Sequence, residues 1–475
     1  MTRNRVCPPR WTPNLSTTVD TEDTEEEPCT GLPPCPPCPL WWRVVESRNL
    51  VMFSGRVPPH FKRNRLSEAL DARRAEGQPV IDLTLSNPTR AELDYPPDLL
   101  APLADPRALT YDPQPFGLVD ARRAVAREYE RQGLDVSPDR IILTASTSDA
   151  YALLFKLLAN PGDEILVPRP SYPLFDHLTA LEAVNAPPYD LEYHGSWAID
   201  FASVERALTD RTRAVLVVSP NNPTGSFITR DELDRLAAMC AVRDIAIVAD
   251  EVFADYELEP GSARSAGRVS SRRDVLSFAL GGLSKSVGLP QVKLGWIAAA
   301  GPDSLVGAAL DRLELICDTY LSVSTPVQVA AATLLYRGVS VRAQIAERVG
   351  TNYRWLASKS AASSCTCRRA EGGWYAVLQV PSIEPEEDLV VGLLIKDGVL
   401  THPGYFFDFP HESFLVVSLL TPEAAFRDGV AHILRHFDCS VADGAPAATP
   451  PAQAHARDAR KASASGGGAP RETKE

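Results

Sequence analysis

The sequence has no apolar run long enough to cross a bilayer, where about twenty residues are needed. It has no excess of basic charge: 48 Lys and Arg stand against 61 Asp and Glu, a net charge of −13. Nucleic acid and anionic membrane surfaces are therefore poor partners. The first residues lack the basic, apolar, small-residue order of a secretory signal. A disulfide framework is absent too. The nine cysteines are an odd, dispersed set, with Cys240, Cys317, Cys365, Cys367 and Cys439 in ordinary globular sequence, so a reducing cytoplasm is expected. Cys35 and Cys38 form a CxxC near Cys29, but no second CxxC or CxxH follows at finger spacing, which argues against zinc.

Regular patterning is missing at both ends. Thr21 to Glu27 is acidic and the stretch to Pro39 is proline-rich, while a normal protein start is found at Met52. Residues 1–51 are expected to be a disordered or mis-called extension, and 439–475, rich in Ala, Pro, Gly and Ser, a disordered tail. With 44% hydrophobic residues, the chain between is ordinary for two or three globular domains.

Lys285 organises what is present. It sits in Gly281-Gly282-Leu283-Ser284-Lys285-Ser286, followed by Gly288-Leu289-Pro290 and an apolar strand from Trp296 to Ala300. Such crowding would desolvate the amine and favour its neutral, nucleophilic form; a solvated turn lysine is the bland alternative. Upstream, helical spacing is expected over 66–74 and a strand over 80–85, running into Ser86-Asn87-Pro88-Thr89-Arg90. Tyr111 opens a Pro-rich turn to Gly117 before a helix over 118–132. The strand Ile141 to Thr144 meets Ser146 and Thr147 at a helix start, where free N–H groups and hydroxyls make an anion site or simply an N-cap. A strand ending at Pro168 leads to Pro170-Ser171-Tyr172-Pro173, and another, Ala214 to Ser219, leads to Asn221-Asn222-Pro223-Thr224-Gly225. Thr229 and Glu232 form a capping-box pattern. The strand Ile245 to Ala249 ends on Asp250, and open α/β sheets bind ligands at the carboxyl ends of their strands.

This set, in this order, resembles the class I/II aminotransferases, pyridoxal-phosphate enzymes of the aspartate-aminotransferase fold, over roughly Arg56 to Phe437. The resemblance implies an α/β fold, three layers with a mainly parallel sheet in a large domain (105–340). A smaller α/β domain (341–438) would share residues 52–104 from the other end. It implies pyridoxal 5'-phosphate on Lys285 as a Schiff base. Asp250 would meet the ring nitrogen, Asn222 the ring oxygen, and Tyr172 the ring face. Ser146, Thr147 and Lys293 would hold the phosphate, with Tyr111 reaching the phosphate of the neighbouring subunit in a homodimer. Asn87, Arg90 and His402 would face substrate. The implied reaction moves an amino group from an amino acid or related amine to a 2-oxo acid. Lys285 would carry the Cα proton in it.

Four positions depart from the family pattern. Val416 stands where an arginine usually clamps the substrate carboxylate, Phe253 where a tyrosine meets the ring oxygen, Lys293 for an arginine, and Gly282 for Ser or Thr. Val416 is the consequential one, and leaves Arg90 or a protonated His402 to take the carboxylate. It also keeps open another chemistry on the same fold, β-elimination or decarboxylation. A non-enzymatic, effector-sensing role would call for a basic DNA-binding module, which the acidic N-terminus does not offer.

Overall fold

The computed structural model describes residues 54–57 and 64–442; the acidic run, the Cys35–Cys38 pair and most of the C-terminal tail lie outside them. The strands are β1 Ile81–Asp82, β2 Ile141–Thr144, β3 Glu164–Arg169, β4 Pro188–Tyr193, β5 Trp197–Ile199, β6 Thr212–Val218, β7 Ala246–Asp250, β8 Ser277–Gly282, β9 Gly295–Ala300, β10 Thr366–Cys367, β11 Tyr375–Gln379, β12 Val399–Leu400, β13 His402–Pro403 and β14 Phe414–Ser418. Eight of them form one sheet in the order β2-β9-β8-β7-β6-β3-β4-β5. The run from β8 to β4 is parallel, β9 is antiparallel to both its neighbours, and β5 is antiparallel to β4.

The apolar strands are continuous because both faces of this sheet are covered. Along β6, Ala214, Leu216 and Val218 join one core with Leu154 and Phe155 of the helix Thr147–Leu158 and Leu313 of the helix Asp303–Tyr320. Val215 and Val217 point the other way, into the core containing Leu233, Leu236 and Cys240 of the helix Arg230–Ala241. Each such Val or Leu contributes about 1.5–3 kcal/mol on burial, which holds the three layers together. The capping box forms as expected: Glu232 N donates to Thr229 Oγ1 at 3.2 Å, and Thr229 N donates to Glu232 Oε2 at 2.9 Å. The fold is therefore α/β, with a mainly parallel central sheet between helices.

A second, smaller sheet has the order β10-β11-β14-β13, all antiparallel, and β1 pairs with β12 in parallel. Both ends of the described chain meet there: Ser418 N donates to Leu83 O at 2.7 Å. The long helix Val339–Ser360 leads into it, and Asn352 Nδ2 donates to Leu419 O and Thr421 O at 2.9 and 2.8 Å.

Three local expectations change. The strand over 80–85 shortens to β1 because Asp82 Oδ1 accepts from Thr84 N at 2.7 Å and from Thr84 Oγ1 at 2.6 Å, a side-chain turn that draws the backbone out of the ladder. His402, expected to face substrate, begins the short β13, which is followed by one 3-10 turn, Gly404–Phe407. The last helix, Glu423–Ala442, continues past residue 438. Among the described residues no helix is long and apolar enough to cross a membrane.

Candidate active site

The central strands deliver polar residues to one edge of the large sheet. Asp250 ends β7, Asn222 lies four residues beyond β6, Lys285 sits in the short helix Leu283–Ser286 directly after β8, and Thr147 opens the helix after β2. These four line one cleft with Tyr172, and the cleft holds roughly 600 Å³ of space, including solvent at its mouth. Among the described residues lining it, Lys285 is the single cation and Asp250 the single carboxylate.

Asp250 is buried, and its carboxylate is doubly held. Tyr151 Oη donates to Oδ2 at 2.8 Å and Val252 N to Oδ1 at 3.1 Å. Burial nevertheless raises its pKa above the usual carboxylate value, because these bonds and the nearby Lys285 charge offset only part of the lost solvation. Tyr151 is pushed well above an ordinary phenol by burial and by Asp250, so it remains a donor. Lys285 answers from the other side. Its Nζ lies 4.7 Å from the Trp374 ring centre and 5.4 Å from that of Phe253. Burial lowers its pKa from 10.5 to about 8, against the pull of Asp250. A larger share of the amine is therefore neutral, and nucleophilic, near neutral pH than for an ordinary lysine.

The two adjacent asparagines divide their work. Asn221 is used internally: its Nδ2 donates to Pro170 O at 3.0 Å and Thr224 Oγ1 at 2.9 Å. Asn222 is buried with no partner for its side-chain oxygen, and lines the cleft. Gly225 closes this turn at φ +72°, and a Cβ there would meet Gly372 O at 2.7 Å, so the Asn-Asn-Pro-Thr-Gly turn requires glycine at its end. Tyr172 is 39% exposed, edge-on to Phe175 at 6.0 Å.

Five expected residues, Lys285, Asp250, Asn222, Tyr172 and Thr147, therefore meet in the cleft. The others stand around or away from it. Ser146 caps the helix Thr147–Leu158, its Oγ accepting from Asp149 N at 3.1 Å, which leaves only its hydroxyl proton to give. Lys293 is exposed in a left-handed turn two residues before β9. Tyr111 is 71% exposed and lines a separate crevice with Gln114 and Leu321. Asn87 Oδ1 accepts from Thr89 N and Thr89 Oγ1, so it caps the 3-10 turn Pro88–Arg90, on which Arg90 is exposed.

His402 requires correction. Its ring lies among aromatics, 6.1 Å from Phe406 and 5.7 Å from Phe407, and burial lowers its pKa to about 4. It is neutral at pH 7 and offers no positive charge to a carboxylate. Val416 is fully buried, opposite Val377 and His402 in the small sheet.

Sequence reasoning missed Tyr151, Trp374, Tyr375 and Ser86. Tyr151 looks like one more apolar helix residue, and nothing local marks its hydroxyl as the partner of a carboxylate 99 residues away. Trp374 and Tyr375 read as strand core, and they are buried. Ser86 was visible as the residue before Asn87 in the turn predicted to face substrate, and it is Ser86 that lines the cleft.

Comparison with known proteins agrees with this architecture. The family described as aminotransferase class I and II matches residues 79–433. The glutamate-pyruvate aminotransferase AlaA of Escherichia coli K12 is 27% identical over 381 residues, covering 78% of this chain and 91% of that protein. An alanine aminotransferase of Mycobacterium tuberculosis H37Rv is 26% identical over 377 residues, covering 76% and 84%. Among solved structures, alanine aminotransferase from Pyrococcus furiosus superposes with a TM-score of 0.72 at 22% identity, over 78% of this chain and 95% of that one. A Thermus thermophilus aspartate aminotransferase variant gives 0.69 at 24% identity, over 81% and 99%. The chain belongs to the class I and II aminotransferases, and it is a transaminase of that family.

Proposed function

We propose that the cleft holds pyridoxal 5'-phosphate on Lys285 and passes an amino group from an amino acid to a 2-oxo acid. The observation that carries this reading is the pairing, in one cleft, of a buried lysine of lowered pKa with a buried carboxylate held by Tyr151. The remaining residues fit the group. Asn222 is buried and lines the cleft, where the Nδ2 of its side-chain amide could donate to the ring oxygen, and Thr147 offers a hydroxyl at the start of a 12-residue helix whose first N–H groups favour an anion. When bound, the cofactor supplies a reactive aldehyde and an electron-withdrawing ring.

The chain's own residues do the rest. Asp250 would accept from the ring nitrogen and favour its protonated form, Asn222 would bond the ring oxygen, and Tyr172 would cover one ring face. Thr147, the proton of Ser146 and the charge of Lys293 would hold the phosphate. Lys285 would take and return the proton at the substrate α-carbon. Trp374 and Phe253 crowd its amine and exclude water. Arg90, exposed at the end of the turn that follows Ser86, would take the substrate carboxylate. The relatives' names make alanine and glutamate the first donors to try, with pyruvate as an acceptor.

We read 105–340 as the cofactor domain, and 52–104 with 341–438 as the smaller one. A homodimer is supported by the exposed apolar side chains of Leu109, Tyr111 and Tyr336, with Tyr111 reaching the partner's cofactor site. A cytoplasmic setting is supported by Cys240, Cys317, Cys365 and Cys367, all free.

Borohydride reduction of the full chain supplied with pyridoxal phosphate tests the assignment. The expected result is one adduct, at Lys285 by peptide mass; protein without it overturns the reading. A single half-reaction with alanine or glutamate then separates the chemistries. A transaminase accumulates pyridoxamine phosphate, whereas a β-eliminating lyase or a decarboxylase returns to the starting absorbance.

A further inference from the structure

The turn that carries Lys285 is held from beneath by three side chains that come from three distant parts of the chain. Tyr256 Oη donates to the carbonyl of Lys285 itself. Arg342 Nε donates to the carbonyl of Ser286 at 2.7 Å. Tyr95 Oη donates to the carbonyl of Gly288 at 2.7 Å. A helix of four residues leaves its last carbonyls short of intrahelical partners: Tyr256 and Arg342 meet those of its last two residues, Lys285 (which also accepts from Gly288 N at 3.4 Å) and Ser286, and Tyr95 meets that of Gly288 just beyond it.

Each donor is itself fixed. Tyr256 is fully buried six residues after Asp250, its ring 5.2 Å from that of Trp374. Arg342 is buried on the long helix Val339–Ser360, where its Nη2 also donates to Glu128 Oε2 at 2.7 Å and its Nε lies 3.6 Å from Asp255 Oδ2. Tyr95 follows Asp94, whose N and O both bond the side chain of Gln344, two residues from Arg342 on the same helix. There is no slack between turn and helix. Gly288 is at φ +66°, and a Cβ there would lie 2.9 Å from Val341 Cγ1 and 3.0 Å from Tyr95 Oη.

We propose that Tyr256, Arg342 and Tyr95 are positioning residues for Lys285: by binding the carbonyls of residues 285, 286 and 288 they fix where its amine points into the cleft. The inference rests on the proposed role of Lys285. It adds that the direction of the amine is set from below, by the segment after Asp250 and by the helix that continues into the small sheet. None of the three touches the reacting atoms; each acts through the backbone of the turn. A donor misplaced by about an ångström can lower a rate by about a hundredfold while leaving binding intact.

The test uses the full chain with bound pyridoxal phosphate, and the variants Tyr256→Phe and Arg342→Met. Tyr256→Phe removes a single oxygen from a packed ring, so it decides the question should Arg342→Met fail to fold. Two measurements are made on each. With the amino donor found above, kcat is expected to fall about tenfold or more with KM within about twofold. In hydrogen exchange, the amides of Val287, Gly288 and Leu289, which bond inside this turn, are expected to exchange about tenfold faster while those of β6 do not change. Unchanged kcat with unchanged exchange at 287–289 overturns the proposal. So does a uniform rise in exchange over both regions with kcat and KM moving together, since that is loss of stability without positioning. Wild-type protein lacking the Lys285 adduct would instead defeat the reading beneath it, and the two failures are told apart by that control.

Discussion

The floor and the rim of the cleft are built by different means. The floor comes from the ends of β6, β7 and β8 and the start of one helix, and its key atoms are fixed by named bonds: Tyr151 and Val252 on Asp250, and Tyr256 and Arg342 under Lys285. The rim comes from the turn 86–90 and the small sheet, which bring Ser86 and Tyr375 to the cleft. Among the residues that line the cleft, both charges, Asp250 and Lys285, sit on the floor. Charge on the floor suits a cofactor whose electronics must be controlled. A rim that brings no charge to the cleft lining leaves the choice of substrate to shape and to a few peripheral groups.

That contrast can be broken at its strongest point. Asp250→Asn keeps the shape and the Tyr151 contact but removes the charge, and kcat is expected to fall about 10²–10³-fold. Stopped-flow measurement of one half-reaction reads it, and a fall of less than threefold would mean that the floor's charge is not what drives the chemistry. On the rim, Arg90→Ala removes one charge-assisted hydrogen bond of about 1.5–3 kcal/mol. KM for an amino acid donor should rise about tenfold or more, with a smaller change in kcat. Unchanged kcat/KM would leave the rim without a cation of this chain's own.

The smallest effect concerns stability. Burial holds His402 near pKa 4 in the folded chain, below its ordinary 6.5. The unfolded chain therefore takes up this proton first, and stability present above pH 6.5 is lost as the pH falls towards 4. The loss at pH 5 is about 2 kcal/mol. His402→Gln should flatten that part of the urea-unfolding profile between pH 7 and pH 5; an unchanged slope would show that other groups govern it.

The same division explains what could be read from the sequence. Floor residues follow β-branched strands and sit in short, distinctive turns such as Asn221 to Gly225, so pattern and chemistry point to one place. The capping box at Thr229 and the strands β2, β6, β7 and β9 were legible because their signals are local. The partners of the floor were not. Tyr151 sits in a largely apolar helix and Arg342 in a long helix that shows no site by itself; their partners Asp250 and Ser286 lie 99 and 56 positions away in the chain. His402 misled for a related reason. A histidine beside a turn reads as a cation until the aromatic wall around it is known.

One pairing bears on how the molecule is made. Ser418 Oγ donates to Leu85 O, 333 residues earlier in the chain, and β1 has its only described strand partner in β12. A ribosome releases every floor residue from 147 to 285 well before it reaches β12, β13 and β14. The large sheet can therefore be complete while the segment that bears Ser86 still waits for its mate. Nascent protein cut short before residue 399 would own the floor that bears Lys285 and Asp250 and lack the finished wall beside it.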